Sequence, residues 1–349
     1  MATGNNSSYD HDYEYIDTAT PKPKSNPVGE DGSCRWDCAV LVVVNIVIFV
    51  VGVCGNNVVI WIIGLKMKKT VNLTWYLSLA ISDFLFCLFL PINIVYMATG
   101  DWIFGLSMCK FTSFILFLNM FSSIFLLVII SIDRCISVVF PVWAQNKRTV
   151  KKASIVIILA WTVSIALSFP STIVRDTTIV RDTMQKEEIK CYNNYEPPFS
   201  HFAVVFSRFA CGFVVPFLII ISCYSVIIWR ISSNRVTKSS KPLKVMSALI
   251  GAFFICWLPY HIVVLMEINP KYEKSLGIYT KVSVTLGSVN SILNPFLYAF
   301  MGEDFKNKFW RSVLRKIENA LGEETHTTNR WVSGSSAVEA SNAKVSTHM

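Results

Sequence analysis

The sequence predicts an all-α membrane protein: a seven-transmembrane helix bundle with a short amphipathic eighth helix and a β-hairpin in the loop between spans 4 and 5. Three observations carry this. Of 349 residues, 53% are hydrophobic and only 16% charged, where a soluble chain is about a quarter charged. Apolar stretches of crossing length recur seven times. The basic residues gather beside the ends of those stretches, on what alternation makes one side.

A helix needs about 20 apolar residues to cross the hydrocarbon core. The stretches run roughly 39–65, 72–98, 106–139, 150–170, 201–230, 242–266 and 276–301. Backbone polar groups in lipid must be satisfied within the segment, so each span is helical. Pro91, Pro170, Pro216, Pro259 and Pro295 lie inside or at the ends of spans; a bundle in lipid accepts them as kinks.

The net charge of +9 suggests nucleic acid until its distribution is read. Lys66, Lys68 and Lys69 form one cluster, and Lys147, Arg148, Lys151 and Lys152 another. Arg230, Arg235, Lys238, Lys241 and Lys244 make a third; Lys306, Lys308, Arg311, Arg315 and Lys316 make a fourth. Basic residues flanking spans mark the cytoplasm, so the charge sets topology and implies no nucleic-acid partner. The expected location is the plasma membrane, N-terminus extracellular and C-terminus cytoplasmic.

Residues 1–38 are polar, without the apolar core of a cleaved signal, and read as a disordered extracellular segment. Asn5 and Asn6 open overlapping glycosylation sequons there. Asn72-Leu73-Thr74 is also a sequon, but falls on the cytoplasmic side. Asp10, Asp12, Glu14 and Asp17 interleave with Tyr9, Tyr13 and Tyr15, either a solvated tail or an acidic lure for a basic protein ligand. The bundle occupies 39–301. Over 302–318, Phe305, Phe309, Val313 and Ile317 recur at helical spacing opposite Lys and Arg, a helix lying on the inner membrane surface. Residues 319–349 form a Ser/Thr-rich cytoplasmic tail expected to be disordered.

Thr172-Ile-Val-Arg-Asp-Thr177 is repeated identically at 178–183. One reading is a tolerated lengthening of an exposed loop; the other is a longer hairpin limb that reshapes the mouth of the bundle. Ten cysteines are present. Cys109 begins span 3 on the outside and Cys191 lies in the loop before span 5. Both face an oxidising compartment, which predicts a disulfide between them. Cys34 and Cys38 either pair with each other, if their segment is not a regular helix, or with another chain.

Ionisable residues inside the membrane are costly and mark function. Asp83 lies mid-span, with Asn119, Ser123, Asn290, Ser291 and Asn294 at comparable depth. One carboxylate among neutral oxygens either holds an allosteric sodium ion, the only cofactor-like species expected, or forms a polar network without one. Asp133-Arg134-Cys135, Cys256-Trp257-Leu258-Pro259 and Asn294-Pro295-Phe296-Leu297-Tyr298 are weak markers singly.

Together with Gly55-Asn56, Asp83, Trp161, Pro216 and Tyr224, these motifs resemble the rhodopsin-like (class A) G-protein-coupled receptor family over residues 39–317. Trp102-Ile-Phe-Gly, Ser131-Ile-Asp-Arg-Cys-Ile-Ser-Val, Pro141-Val-Trp-Ala-Gln-Asn-Lys-Arg and Phe300-Met-Gly-Glu-Asp-Phe are similar to its chemoattractant group. That group contains the formyl-peptide, chemerin and anaphylatoxin receptors. Arg208 matches a basic residue of the formyl-peptide and chemerin branches. Phe117 and Val204 depart from the formyl-peptide pattern, while Glu267, Asn193-Asn194 and Arg175-Asp176-Thr177 look like the chemerin branch.

The resemblance implies a receptor, not an enzyme, for an extracellular peptide or protein chemoattractant, with no catalytic or metal site. Arg208, Glu267, Phe117, Asn119 and Asn193 would contact the ligand, Arg208 through its carboxylate. Trp257, Phe253, Pro216 and Ile124 would repack on activation, freeing Arg134 from the Asp133 end of span 3. Tyr224 and Tyr298 would then line a cavity for the α-subunit of an inhibitory-class (Gi) G protein. Receptor kinases would phosphorylate Thr325, Thr327, Thr328, Ser333, Ser335 and Ser336 and so recruit arrestin. Membrane lipid is the remaining partner. The alternatives are a formyl-peptide or lipid-mediator receptor, and a decoy that recruits arrestin without activating G protein. A transporter would show internal repeats and broken helices in matching halves, and neither is visible.

Overall fold

The computed structural model describes residues 34–181, 187–195, 198–234, 241–269, 271 and 276–298, with side chains except at 34–37, 198–199, 234, 241–245 and 296–298. The Asn5 and Asn6 sequons, the acidic Tyr-rich segment, the helix expected over 302–318 and the tail with Thr325, Thr327, Thr328, Ser333, Ser335 and Ser336 lie outside these residues. The side chains of Tyr298 and Cys34 do too.

The chain folds as a seven-helix bundle capped by a two-stranded antiparallel hairpin. Helix α1 (Cys34–Trp61) runs into a π-helical turn (Ile62–Lys66), followed by α2 (Val71–Thr99), α3 (Gly105–Val139), the short α4 (Pro141–Lys147) and α5 (Val150–Ile173). Strands β1 (Arg175–Arg181) and β2 (Glu187–Asn193) form the hairpin. The fifth crossing comprises α6 (Pro198–Phe209), a π-helical turn (Ala210–Val214) and α7 (Val215–Asn234); α8 (Lys241–Glu267) and α9 (Gly277–Tyr298) complete the bundle.

The helix ends follow from sequence chemistry. Thr70 and Thr149 cap α2 and α5, their hydroxyls accepting from the Leu73 and Lys152 amides at 3.4 Å each. Gly100 ends α2 at φ 72°, a conformation glycine adopts without Cβ strain. The fourth span continues past Pro170 to Ile173, three residues beyond the sequence boundary. Pro170 interrupts the ladder once, at its own missing N–H, and the last turn closes with the Val174 amide donating to the Pro170 carbonyl at 3.4 Å. At Pro216 the missing N–H falls just after the π-helical turn, the wider winding by which a helix accommodates an interrupted ladder.

Six of the crossings are long and apolar enough to span a membrane by length and composition. The seventh, α9, is more polar because it turns Ser283, Thr285, Ser288, Asn290, Ser291 and Asn294 into the bundle, all buried. Helix α3 is the central post: Met120, Phe121, Ile124 and Leu126 are buried within it, and α2, α5, α7 and α8 pack around. The outer faces carry Ile158, Ile228 and Ile255, each at least 64% exposed, a surface suited to lipid rather than water. Where lipid surrounds the helices, close packing and interhelical hydrogen bonds hold the bundle.

Candidate functional site

The mouth of the bundle is shaped by the hairpin. Arg175 pairs with Asn193, Thr177 with Cys191 and Arg181 with Glu187. A Cys109–Cys191 disulfide joins β2 to the first turns of α3, with Cα atoms 5.8 Å apart, as the cysteine positions lead one to expect. The Trp102 amide donates to the Ile189 carbonyl at 2.8 Å, and the Ile189 amide donates to Asp101 Oδ1 at 2.7 Å. The repeated hexapeptide is thereby divided. Its first copy finishes α5 and starts β1, and the second extends β1 outward, so the duplication lengthens the limb.

Beneath the hairpin, the last turn of α6 directs Arg208 inward, where it is buried. Arg208 Nη2 donates to Ser171 Oγ at 2.6 Å and Nη1 donates to the Tyr260 hydroxyl. The guanidinium lies 3.9 Å from the centroid of the Phe117 ring, a cation–π contact. Its Nε is buried without a hydrogen-bond partner. Among the described residues no carboxylate forms an ion pair with Arg208. A desolvated guanidinium carrying an open donor is suited to receive an anion.

Arg175 converges on the same place. Its Nε is enclosed and unbonded, and burial pulls its guanidinium below the usual value, the Arg208 charge adding to that depression. Tyr195, beyond the hairpin, stacks on His201 with ring centroids 4.0 Å apart. Burial pushes its phenol up, and Arg208 and Arg175 partly offset this. Glu267, half-buried at the end of α8, accepts from Thr280 Oγ1 at 3.1 Å. Asn193 is exposed on the hairpin. Asn119, expected to contact ligand, is committed deeper in the bundle: its amide nitrogen and oxygen are both bonded there.

An aromatic column runs down from the pocket. Tyr260 packs edge-to-face on Trp257 at 5.7 Å, and Trp257 lies 6.2 Å from Phe253. Trp257, Phe253 and Ile124 are fully buried, and Pro216 is buried beside the π-helical turn. Gly287 of α9 leaves room for the indole; a Cβ there would stand 3.1 Å from Trp257 Cε3 and Cζ3.

Below the column, Asp83 is completely enclosed. Its Oδ1 accepts from Asn119 Nδ2 at 3.0 Å and its Oδ2 from Asn294 Nδ2 at 2.5 Å. Asn119 Nδ2 also reaches Ser82 Oγ at 3.2 Å, while Ser291 Oγ donates to Asn119 Oδ1 at 3.3 Å. Asn290 is buried nearby in sequence on α9, and the buried Ser123 hydroxyl has no hydrogen-bond partner.

At the opposite end, Asp133 is held by Arg148 rather than by its chain neighbour Arg134. Arg148 Nε donates to Asp133 Oδ1 at 2.6 Å and its Nη2 to Oδ2 at 2.5 Å, and the same nitrogen reaches Asn72 Oδ1. Arg134 is half-buried near Tyr76, with an unbonded Nε. Tyr224 of α7 packs half-buried against the core.

Sequence reasoning left Ser171, Tyr195 and Tyr260 unmarked and treated Arg175 only as a point of resemblance. Tyr260 had a signal: it lies three residues after Trp257 and so shares its helix face. The other three come together only through the hairpin and the end of α5.

Residues 55–298 match the family model for the 7 transmembrane receptor (rhodopsin family). The chain is 41% identical over 342 residues to human chemerin-like receptor 1, covering 91% of this chain and 88% of that one. It is 42% identical over 308 residues to the rat chemerin-like receptor 1, covering 82% and 81%. With the human fMet-Leu-Phe receptor it shares 38% over 313 residues, covering 84% and 88%. The chain therefore belongs to the rhodopsin family of seven-transmembrane receptors, beside the chemerin-like and formyl-peptide receptors.

Proposed function

We propose that this receptor sits in the plasma membrane with its N-terminus outside and senses an extracellular peptide or protein chemoattractant of the chemerin kind. Its ligand would present a carboxylate to Arg208. The observation that carries this is a buried guanidinium with an open Nε and no ion-paired carboxylate among the described residues. Arg175 adds a second positive group. Phe117, opposite the guanidinium, stands where formyl-peptide receptors would bring an acid, which favours the chemerin-like ligand. Glu267 and Asn193 would meet the ligand nearer the rim.

An agonist shifts the receptor only by binding its active arrangement more tightly. The Arg208–Tyr260–Trp257–Phe253 series gives such a ligand a direct mechanical path to the core. Repacking there, with Ile124 and Pro216, would let α8 swing about Pro259 and expose Arg134, Tyr224 and Tyr298 to an inhibitory-class (Gi) G protein. Asp133 and Arg134 would form the switch at that end. Receptor kinases acting on the 319–349 tail would then bring arrestin, and the 302–318 helix would rest on membrane lipid. The donor set around Asp83 fits a sodium ion: Asp83, Asn119 and the unpartnered Ser123 hydroxyl would hold it. The ion would supply a positive charge that steadies the resting arrangement.

The test is nucleotide exchange on an inhibitory G protein, driven by chemerin-derived and formylated peptides, in native receptor and Arg208→Ala. Losing a charge-assisted hydrogen bond costs about 1.5–3 kcal/mol, so the potency of the chemerin-derived peptide should fall about 10- to 150-fold at unchanged surface expression. Unchanged potency rejects the role of Arg208. Arrestin recruitment without exchange identifies a decoy instead, and stronger response to formylated peptides moves the ligand class.

A further inference from the structure

Two cysteines that the proposed signalling path does not use face each other between helices. Cys135, one turn before the end of α3, and Cys223, on α7, are both free thiols and both half-buried. The Cys223 thiol lies within hydrogen-bonding reach of the Cys135 thiol, and α3 and α7 pack directly on each other. Cys87 and Cys256, by contrast, are buried, the ordinary use of cysteine as a small core hydrophobe. Each member of the pair adjoins a residue of the inner switch in the chain: Cys135 follows Arg134, and Cys223 precedes Tyr224. Arg134 and Tyr224 are themselves near neighbours across the same gap.

We infer that Cys135 and Cys223 form a reversible disulfide under peroxide, which staples α3 to α7 and holds the receptor at rest. A disulfide needs Cα atoms about 4.4–6.8 Å apart and sulfurs about 2.05 Å apart. Side chains already in contact reach this by rotating about their own χ1 bonds with little backbone movement. The co-reactant is hydrogen peroxide, small and neutral enough to reach half-buried thiols. A positive neighbour favours the thiolate, so Arg134 makes Cys135 the attacking sulfur. Its lone pair attacks one peroxide oxygen and the O–O bond breaks. The departing hydroxide takes back the proton that Cys135 gave up, leaving water and a sulfenic acid. Cys223 then attacks that sulfur: the S–S bond forms, the S–O bond breaks, and hydroxide leaves with the Cys223 proton as a second water. Two thiols are oxidised, and one peroxide is reduced to two waters. A reducing dithiol reverses the bond by exchange, so in a reducing cytoplasm it is transient, as redox-sensing disulfides there are. The consequence for signalling rests on the proposed reading that this end receives the G protein. Activation requires Arg134 and Tyr224 to change partners, and a covalent link one residue from each fixes their helices at the resting spacing.

The test titrates full-length receptor in nanodiscs with hydrogen peroxide and digests it without reduction. Mass spectrometry should find the Cys135 peptide joined to the Cys223 peptide, with the Cys109–Cys191 pair followed in the same digest to show that it is intact. Agonist-driven nucleotide exchange should fall in proportion to the joined fraction, and thioredoxin with its reductase should restore it. C135S and C223A, made separately so that one stands in if the other does not fold, should form no such link and lose the peroxide effect. Absence of the joined peptide in oxidised native receptor overturns the proposal. So does a joined peptide with unchanged or raised exchange, or an equal peroxide effect in the variants, which would place the oxidation elsewhere. Exchange missing from the reduced native receptor rejects the proposed G-protein coupling instead, and the joined peptide, which needs neither agonist nor G protein, still decides the pair.

Discussion

Gly287→Ala puts the aromatic column to a direct test. A Cβ at that position meets Trp257 Cε3 and Cζ3 at 3.1 Å and Cδ2 at 3.3 Å, about half an ångström inside the optimal carbon–carbon separation of roughly 3.5–4.0 Å. The indole has nowhere nearby to go: it is fully buried, with Phe253 and Tyr260 against it. Overpacking of this kind costs about 1–3 kcal/mol. Only the part of that cost relieved when Trp257 moves shifts the equilibrium, at about 1.4 kcal/mol per tenfold. If about half is relieved, exchange without agonist should rise about 2- to 12-fold, because the new methyl group pushes the indole away from α9. Gly251→Ala is the matched control on α8, since a Cβ there meets nothing within 4 Å; it should leave exchange unchanged. The assay is nucleotide exchange at equal receptor density, with Trp257→Phe combined with Gly287→Ala to relieve the clash. Unchanged exchange and unchanged thermal stability in Gly287→Ala would refute the idea that Trp257 packing sets the resting state.

Asp83→Asn replaces one of two acceptor oxygens by a donor, so either Asn119 or Asn294 loses its partner, at about 1–3 kcal/mol. Agonist affinity should stop responding to sodium; competition binding in sodium and in an organic-cation buffer reads this, and surviving sensitivity places the ion elsewhere. The two arginines of the repeated hexapeptide should behave differently. Arg175→Ala should lower peptide potency, whereas Arg181→Ala, which removes only an exposed ion pair with Glu187, should stay within about twofold. Equal losses at both positions would mean that the hairpin acts through overall charge.

Much of this molecule is legible in one dimension, because lipid enforces simple rules. Seven apolar stretches and their basic flanks anticipated the bundle, and two cysteines on the outer side anticipated the disulfide. What escaped depends on folding in three dimensions. Arg148 lies 15 residues from Asp133, beyond the intervening α4, and nothing in the sequence chooses it over adjacent Arg134. Asn119 is two residues from Phe117 on the same helix, yet its amide belongs to Asp83; two residues on a helix differ by about 200° in direction. The end of the fourth span ran past Pro170 because a proline near a helix terminus interrupts the ladder only once, and the Val174 amide still closes the last turn on the Pro170 carbonyl.

The duplicated hexapeptide has a geometric outcome of its own. Six is an even number, and strand side chains alternate with a period of two. Adding one copy therefore moves residues along the ribbon without turning any of them over, as five or seven would have done. Arg175 and Arg181 end on the same side of β1, about 20 Å apart at 3.4 Å per residue. A copying event has thus made a second, outlying version of an inner arginine, tied to Glu187 instead of sunk beside Arg208. Selection can reshape that outer copy while the inner one stays as it was.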